Sequence, residues 1–539
     1  MASAPDRLGE APAAEVPLSQ AQALLADYPW RDVDARRPSL LDQLERLRKD
    51  RQFALLALLA DRLARHAPAD ARVRRLQVQA LIECGQPSAA IDVAQAALRR
   101  VDAGEAEWAE LHGLLGRAWK QIFIDARRAL APGDLDALGN AVRAYRKPYE
   151  ADPGNTWHAI NLVAVAACAE RMQLRRAPRL DHRALARQIV SHLRDAPAAD
   201  CWHHATLAEA FLALGELDRA EHHLGLFLRQ EPKDLEAFAV ASTLRQFEQV
   251  WDLGSAGERE RGLLEALRTR LMQLSGARLQ LDRDDLQRLQ QAPEPPAAQL
   301  EAILGADGTK SYRWWQTGLR SASSVASIRA GLDARIGTGF LVAAEDLGLP
   351  PVARALVLTN FHVVNAEASS GALRAEDASV VFEAADAERS YSVARIVWSS
   401  PVDRHDATLL ELDAPPPAGV APLPFARRLP LQPEQGRSQV YVIGHTGGGG
   451  LEFSFQDNEL LDHEGPADNR FDGTPCRLHY RAPTEKGNSG SPVFNAADWR
   501  VIGLHHAGGV LSKLNGKPGT YPANEGIAML SIIAALRGG

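Results

Sequence analysis

Two spacings of apolar residues divide the chain. From about Leu18 to Gln291, apolar positions recur three and four apart in stretches rich in Ala, Leu and Arg, with Gly and Pro as punctuation, and this predicts a series of amphipathic helices. From Ser324 onward the pattern changes to short apolar runs bounded by Gly, Asn and Asp, such as Val325–Ile328, Val380–Phe382, Val440–Gly444 and Val501–Leu504, which read as strands. A last helical run covers Ala528–Leu536. Between the two regimes lies Gln290–Gln299 (QQAPEPPAAQ), whose prolines stop the preceding helix and stiffen the connection. It leads into a helical segment, Leu300–Leu319, whose Trp314-Trp315 pair reads as a packing latch against the following domain. The predicted division is a disordered N-terminus (1–17), a helical repeat domain (18–290), a linker with a connector helix (291–323) and a β domain (324–539).

The helical part repeats itself loosely. Gly215, Ala220 and Pro232 stand at the turn, packing and terminal positions of a tetratricopeptide unit, with Leu207 and Phe211 on its first helix and Leu224 on its second. Ala141, Tyr145 and Pro153 repeat the offsets, and Gly85 with Ala90 gives a weaker third copy. The pattern resembles a degenerate α-solenoid of tetratricopeptide type, in which stacked pairs bury one another's apolar faces and leave a concave surface for a protein regulator. Tyr145–Asn161 (YRKPYEADPGNTWHAIN), Ala205–Glu209 and Ser242–Gln246 resemble the TRAF-binding-type helical region of signalling kinases and bacterial effectors.

At 539 residues the chain is too long for one core. A net charge of −7 gives no reason to expect a nucleic-acid partner, and the basic runs Arg72–Arg75 and Arg171–Arg179 read as solvated helix faces. Met1–Pro17 lacks the basic and apolar regions of a signal peptide, and no apolar run reaches the ~18–20 residues of a membrane span. Four scattered cysteines, Cys84, Cys168, Cys201 and Cys476, read as reduced thiols, so the expected location is the cytoplasm, with no membrane partner.

Candidate chemistry is confined to the β half. Gly487-Asn488-Ser489-Gly490-Ser491-Pro492 flanks a serine with glycines, which permit the sharp turn that aims backbone N–H groups at an oxyanion. Leu356–Val364 (LVLTNFHVV) reads as a strand delivering His362, and Asp406–Leu412 (DATLLEL) places Asp406 at the mouth of another. Asp403 and Asp413 compete for the acidic role, but Asp413 follows the strand, whereas Asp406 opens it. The chain order His, Asp, Ser differs from that of subtilisins and α/β-hydrolases.

With GTGFLV (337–342) and VIGLHHAGG (501–509), these strings make the β half similar to chymotrypsin-like serine peptidases of the glutamyl-endopeptidase-like branch, as fused to repeats in bacterial conflict systems. The resemblance implies a double six-stranded barrel with the cleft between the barrels. It implies Ser489 as nucleophile, His362 as general base, Asp406 as its orienting acid and the N–H groups of Gly487 and Ser489 as the oxyanion hole, with no metal or cofactor. The position that carries an acid in enzymes cutting after Lys or Arg is Pro483. Thr484 and His505 occupy the places that hold an acidic or amide P1 side chain, and the added residue in LHHAGG leaves open whether His505 or His506 faces the pocket. The expectation is a multidomain α-then-β protein: a repeat-regulated serine endopeptidase acting on a protein partner in bacterial defence or signalling. The alternatives are a non-enzymatic interaction scaffold with an inactive protease-like module, and an esterase using the same serine.

Overall fold

The computed structural model describes residues 21, 23–49, 52–128, 135–174, 180–194, 201–231, 235–274, 277–280, 283–331, 334–430, 438–445, 450–455, 459–482 and 487–538. The N-terminal 1–17 segment, Pro232, Pro483 and Thr484 lie outside them. One compact unit runs to Arg268 and takes in Pro295–Ala306; the other comprises Thr269–Glu294 and everything from Asp307.

The first unit is built of antiparallel helix pairs. Ala71–Glu83 and Pro87–Leu98 turn at Gly85 (φ +72°), and Trp202–Leu214 and Leu217–Leu228 turn at Gly215 (φ +76°), a left-handed conformation that glycine adopts without a Cβ penalty. Ala90, Ala141 and Ala220 are fully buried where paired helices approach, and Tyr145, Leu207, Phe211 and Leu224 fill the layers between them. The alanine, aromatic and leucine positions of the repeat read from the sequence are therefore packing positions, while Gly85 and Gly215 form turns and Pro153 is exposed. Among the described residues no helix is long and apolar enough to cross a membrane.

The second unit holds two antiparallel β bodies. Strands β2 (Val325–Ala330), β3 (Ala334–Val342), β4 (Leu356–Thr359), β5 (Ala378–Val381), β6 (Tyr391–Ser400) and β7 (Ala407–Leu412) close into a barrel in the order β2-β3-β4-β7-β6-β5. Its interior packs Ile328, Leu341, Val357, Val380, Phe382 and Leu410. The second body uses β8 (Val440–His445), β9 (Leu451–Phe455), β10 (Leu460–His463), β11 (Arg477–Tyr480), β12 (Pro492–Asn495), β13 (Val501–Ser512) and β14 (Thr520–Ala528), and a further strand, β1 (Ala277–Gln280), pairs with β9 at one edge. The order β1-β9-β8-β12-β13-β14-β11-β10 makes it an eight-stranded sheet where six strands were expected. Strand β1 falls in a stretch whose sequence reads as helical. Its four residues come soon after a helix that ends at Gln273, and such a short segment takes its conformation from the edge it joins rather than from its own spacing.

Helix Gly308–Ala322 belongs to the same unit as the sheets. Trp314 Nε1 donates to the Ala496 carbonyl at 2.7 Å, and its ring lies against Trp499 and Tyr441. Trp315 is fully buried beside Phe453, and Gly318 leaves room for the Trp499 indole, so the tryptophan pair latches this helix onto the second sheet.

Candidate active site

The two β bodies each bring part of a polar cluster. In the barrel, β4 ends at Thr359 and the chain turns through Asn360-Phe361-His362, with Val363 and Val364 donating back to the Asn360 carbonyl. Asn360 Nδ2 donates to the Asp406 carbonyl at 2.8 Å, tying this turn to the start of β7. Asp406 has φ +43°, a left-handed conformation that Asp tolerates better than most residues, and strain of this kind concentrates at functional sites. The conformation brings both carboxylate oxygens to His362: Oδ1 accepts its backbone N–H at 3.0 Å, and Oδ2 lies 2.7 Å from Nδ1. The carboxylate is sealed, at 1% exposure against 29% for the imidazole, so the histidine ring alone of this pair reaches the solvent side.

The serine loop comes from the second sheet and docks on the barrel through Thr338 of β3. Thr338 N–H donates to the Ser489 carbonyl at 2.8 Å, its Oγ1 donates to the Gly487 carbonyl at 2.8 Å and accepts from His445 N–H at 3.2 Å, and its own carbonyl accepts from Thr359 Oγ1 at 2.7 Å. One buried residue thus connects the strand that carries His362 with the loop that carries Ser489. Gly490 (φ +87°) completes the docking, since a Cβ there would stand 2.0 Å from the Thr338 carbonyl oxygen. The amides of Gly490 and Ser491 are used internally, bonding the carbonyls of His505 and Asn488, whereas those of Gly487 and Ser489 meet no acceptor among the described residues. The Ser489 hydroxyl and His362 Nε2 also have no hydrogen-bond partner among the described residues, and Ser489 is half-buried. Thr484 lies outside these residues, so the structure places His505 but not its expected partner.

The doubled histidine of LHHAGG has a structural cause. Strands β13 and β14 slip register between His505 and Ala507, so His506 is the extra residue of a β-bulge, a device that re-aims side chains at functional sites. His505 points to the sheet core, with Nδ1 2.7 Å from the Tyr480 hydroxyl. Burial, with the nearby His506 and His362, pushes it down to about 3, which keeps the ring neutral. His506 turns the other way. Its Nδ1 lies 3.2 Å from Asp406 Oδ2 and its Nε2 2.9 Å from Glu525 Oε1, so both nitrogens face carboxylates. Burial alone would lower this group, but the bonds to Asp406 and Glu525 outweigh it and raise the imidazolium to about 9. Glu525 in turn sits 2.6 Å from His479 Nε2, and the Tyr521 hydroxyl lies 2.9 Å from His479 Nδ1. Burial raises both acids of this chain, yet the histidine contacts prevail: Asp406 is held well below the usual carboxylate range, and Glu525 at about 2.

Sequence reasoning singled out His362, Asp406 and Ser489 and named His506 only as the alternative to His505 in the pocket; it did not single out Thr338, Asn360, Glu525 or His479. The glycines around Thr338 and the histidine doublet were the only local signals.

Residues 337–504 match the model of a family described as the trypsin-like peptidase domain, and residues 52–166 match that described as tetratricopeptide repeats-sensor. The chain therefore carries a trypsin-like peptidase domain joined to a tetratricopeptide-repeat region. Among solved structures, a thermophilic TPR protein of Thermus thermophilus is 16% identical over 39% of this chain and 97% of its own, with a TM-score of 0.30, too slight a likeness to carry an argument. No curated protein matches the chain.

Proposed function

We propose that the chain is a serine endopeptidase. Ser489 attacks the scissile carbonyl, His362 takes its proton and returns it to the leaving amine, and Asp406 holds the imidazole with the proton on Nδ1 and stabilises the imidazolium. The amides of Gly487 and Ser489 receive the oxyanion, a contribution of about 2.7–4 kcal/mol for one such donor in subtilisin. The observation that carries the reading is the 2.7 Å contact between His362 Nδ1 and a sealed carboxylate, since that orients Nε2 outward as a base.

For specificity, a neutral His505 whose Nδ1 accepts from Tyr480 keeps its proton on Nε2, a donor for a Glu or Gln side chain at P1, with Thr484 as a second donor. The repeats bind a protein regulator or recruit the substrate, with a role in bacterial defence or signalling. Four cysteines without a disulfide among them support a cytoplasmic location.

A proteome-derived peptide library tests this reading. The intact chain, supplied with candidate regulators encoded beside it, is expected to cleave after Glu or Gln, and His505→Ala to erase that preference while His506→Ala keeps it. Cleavage after Arg, Lys or large aromatics overturns the pocket assignment, and cleavage that survives Ser489→Ala overturns the enzyme.

A further inference from the structure

The helical unit contains a cavity of about 630 Å³, within the ~300–1,000 Å³ range of small-molecule sites, and its lining differs from that of a packing defect. Helix Ala106–Arg128 contributes Lys120, which is 9% exposed. Its ammonium donates to two neutral acceptors, Asn161 Oδ1 at 2.8 Å and Gln246 Oε1 at 2.6 Å, and among the described residues no carboxylate pairs with it. The carboxylate nearest in role, Glu209, is taken by Gln246 Nε2 at 2.9 Å and Trp251 Nε1 at 2.7 Å. Burial pushes Lys120 well below its ordinary value; the Glu209 carboxylate opposes that shift only in part, and the guanidinium groups of Arg117 and Arg245 add to it, so a bound anion would work in the same direction as Glu209. Arg117 and Arg245 line the same cavity, and both are anchored on Glu83 behind the wall. A guanidinium has five N–H donors, so each anchored arginine keeps donors for a second acceptor.

A different kind of surface completes the lining. Trp157 and Trp202 are each 36% exposed, unusual for an indole in a packed solenoid, and both line the cavity. Two helical glycines make room for aromatic rings there. A Cβ on Gly113 would stand 2.2 Å from the Trp157 ring, and one on Gly116 would stand 2.8 Å from the ring of Tyr145. Glycine inside a helix costs about 1 kcal/mol relative to alanine, so the two act as ring seats at some expense to the helix. The helix Ala237–Arg245 widens into a π-helical turn, Gln246–Val250, a distortion found often at functional sites. That turn supplies Gln246 and Gln249, and the buried Gln249 Oε1 has no hydrogen-bond partner among the described residues.

We propose that this cavity binds a nucleoside phosphate, with its anionic end at Lys120, Arg117 and Arg245 and its base on the indoles of Trp157 and Trp202. Aromatic faces accept any base by stacking, the cations supply affinity for phosphate, and the amide of Gln249 offers hydrogen bonds to a base or ribose edge. The proposal is independent of the peptidase reading, because binding is measured without Ser489.

Calorimetry on the full chain tests it with AMP, ADP, ATP, GMP, GDP and GTP, and with adenosine, guanosine and tripolyphosphate as the separated halves. At least one nucleotide is expected to bind in the micromolar range, about tenfold or more tighter than either of its halves. Lys120→Met and Trp202→Leu are each expected to weaken it by roughly fivefold or more. If Lys120→Met loses helical circular dichroism, the surface variant Trp202→Leu decides. The proposal is overturned if no nucleotide binds more tightly than about 1 mM, if tripolyphosphate alone binds as well, or if the folded variants bind like the parent.

Discussion

The β unit and the helical unit both bury ionisable groups, but they settle them in different ways. In the β unit the signs alternate: Asp406, His506 and Glu525 form a carboxylate–imidazolium–carboxylate chain in which the central cation bonds an acid at either end. In the helical unit the ammonium of Lys120 donates only to neutral amides, and Glu209, which acts on it through space, is hydrogen-bonded to Gln246 and Trp251 instead. A buried charge costs free energy unless it is paired and hydrogen-bonded. The first arrangement meets that condition within the chain and fixes a geometry. The second leaves an electrostatic demand that an anion from outside would meet. On the two proposals made above, one network positions groups for chemistry, and the other receives a ligand.

The comparison is broken most severely at Asp406. If the His506–Asp406–His362 chain serves catalysis, Asp406→Asn should lower kcat by about 10⁴ with the fold retained, because the His362 tautomer is no longer imposed. Progress curves on a cleaved peptide, alongside circular dichroism, measure this, and a loss below about tenfold would detach the network from the chemistry.

Thr338 comes next. Thr338→Val keeps its backbone bond to the Ser489 carbonyl but removes the hydroxyl between Gly487 and His445, which should lower kcat by roughly 10–100-fold, the equivalent of one or two buried hydrogen bonds, with little change in KM. Thr338→Ser should restore most of it. An equal loss in Thr338→Ser would mean that the methyl group rather than the hydroxyl matters.

The His506 link makes a pH-dependent prediction. Its folded value, about 9, lies above the ~6.5 of an unfolded histidine. Its stabilisation is therefore fully present below about pH 6.5 and lost as pH rises through 9. His506→Asn should be less stable than the parent by at most about 3 kcal/mol near neutrality, with the gap closing by about pH 10. Denaturant titrations at about pH 6, 8 and 10 measure it. Glu525 works in the opposite direction, being depressed to about 2, so its contribution holds above about pH 4.5 and is lost as pH falls through 2.

The smallest effect sharpens the helical side. Gly113→Ala restores helix propensity while displacing the Trp157 ring, so stability should change by less than about 1 kcal/mol as nucleotide affinity falls roughly fivefold. Unchanged affinity with a displaced ring would remove Trp157 from the site.

What the sequence discloses follows the range of the interaction. His362, Asp406 and Ser489 stand in short strings whose strand or turn character is set locally, and Gly85 and Gly215 mark helix turns that a left-handed residue must make. The entry of β1 into the second sheet was not legible, because β1 owes its state to β9, a strand far along the chain. The role of His506 was only half legible: the doublet signalled an added residue, but its aim depends on the register of β13 against β14 and on a carboxylate of the other β body. Nothing local marked the helical cavity, whose lining residues are drawn from Arg48 to Val250 and meet only when the helices stack.

The central claim is that Ser489 is a nucleophile served by His362. It is tested most directly by treating the intact chain with a fluorophosphonate and locating the adduct by peptide mass spectrometry. The account predicts a single adduct on Ser489, absent from Ser489→Ala and reduced by about 10³-fold or more in rate in His362→Ala. Labelling on another residue, or labelling at Ser489 that is as fast without His362, would contradict it.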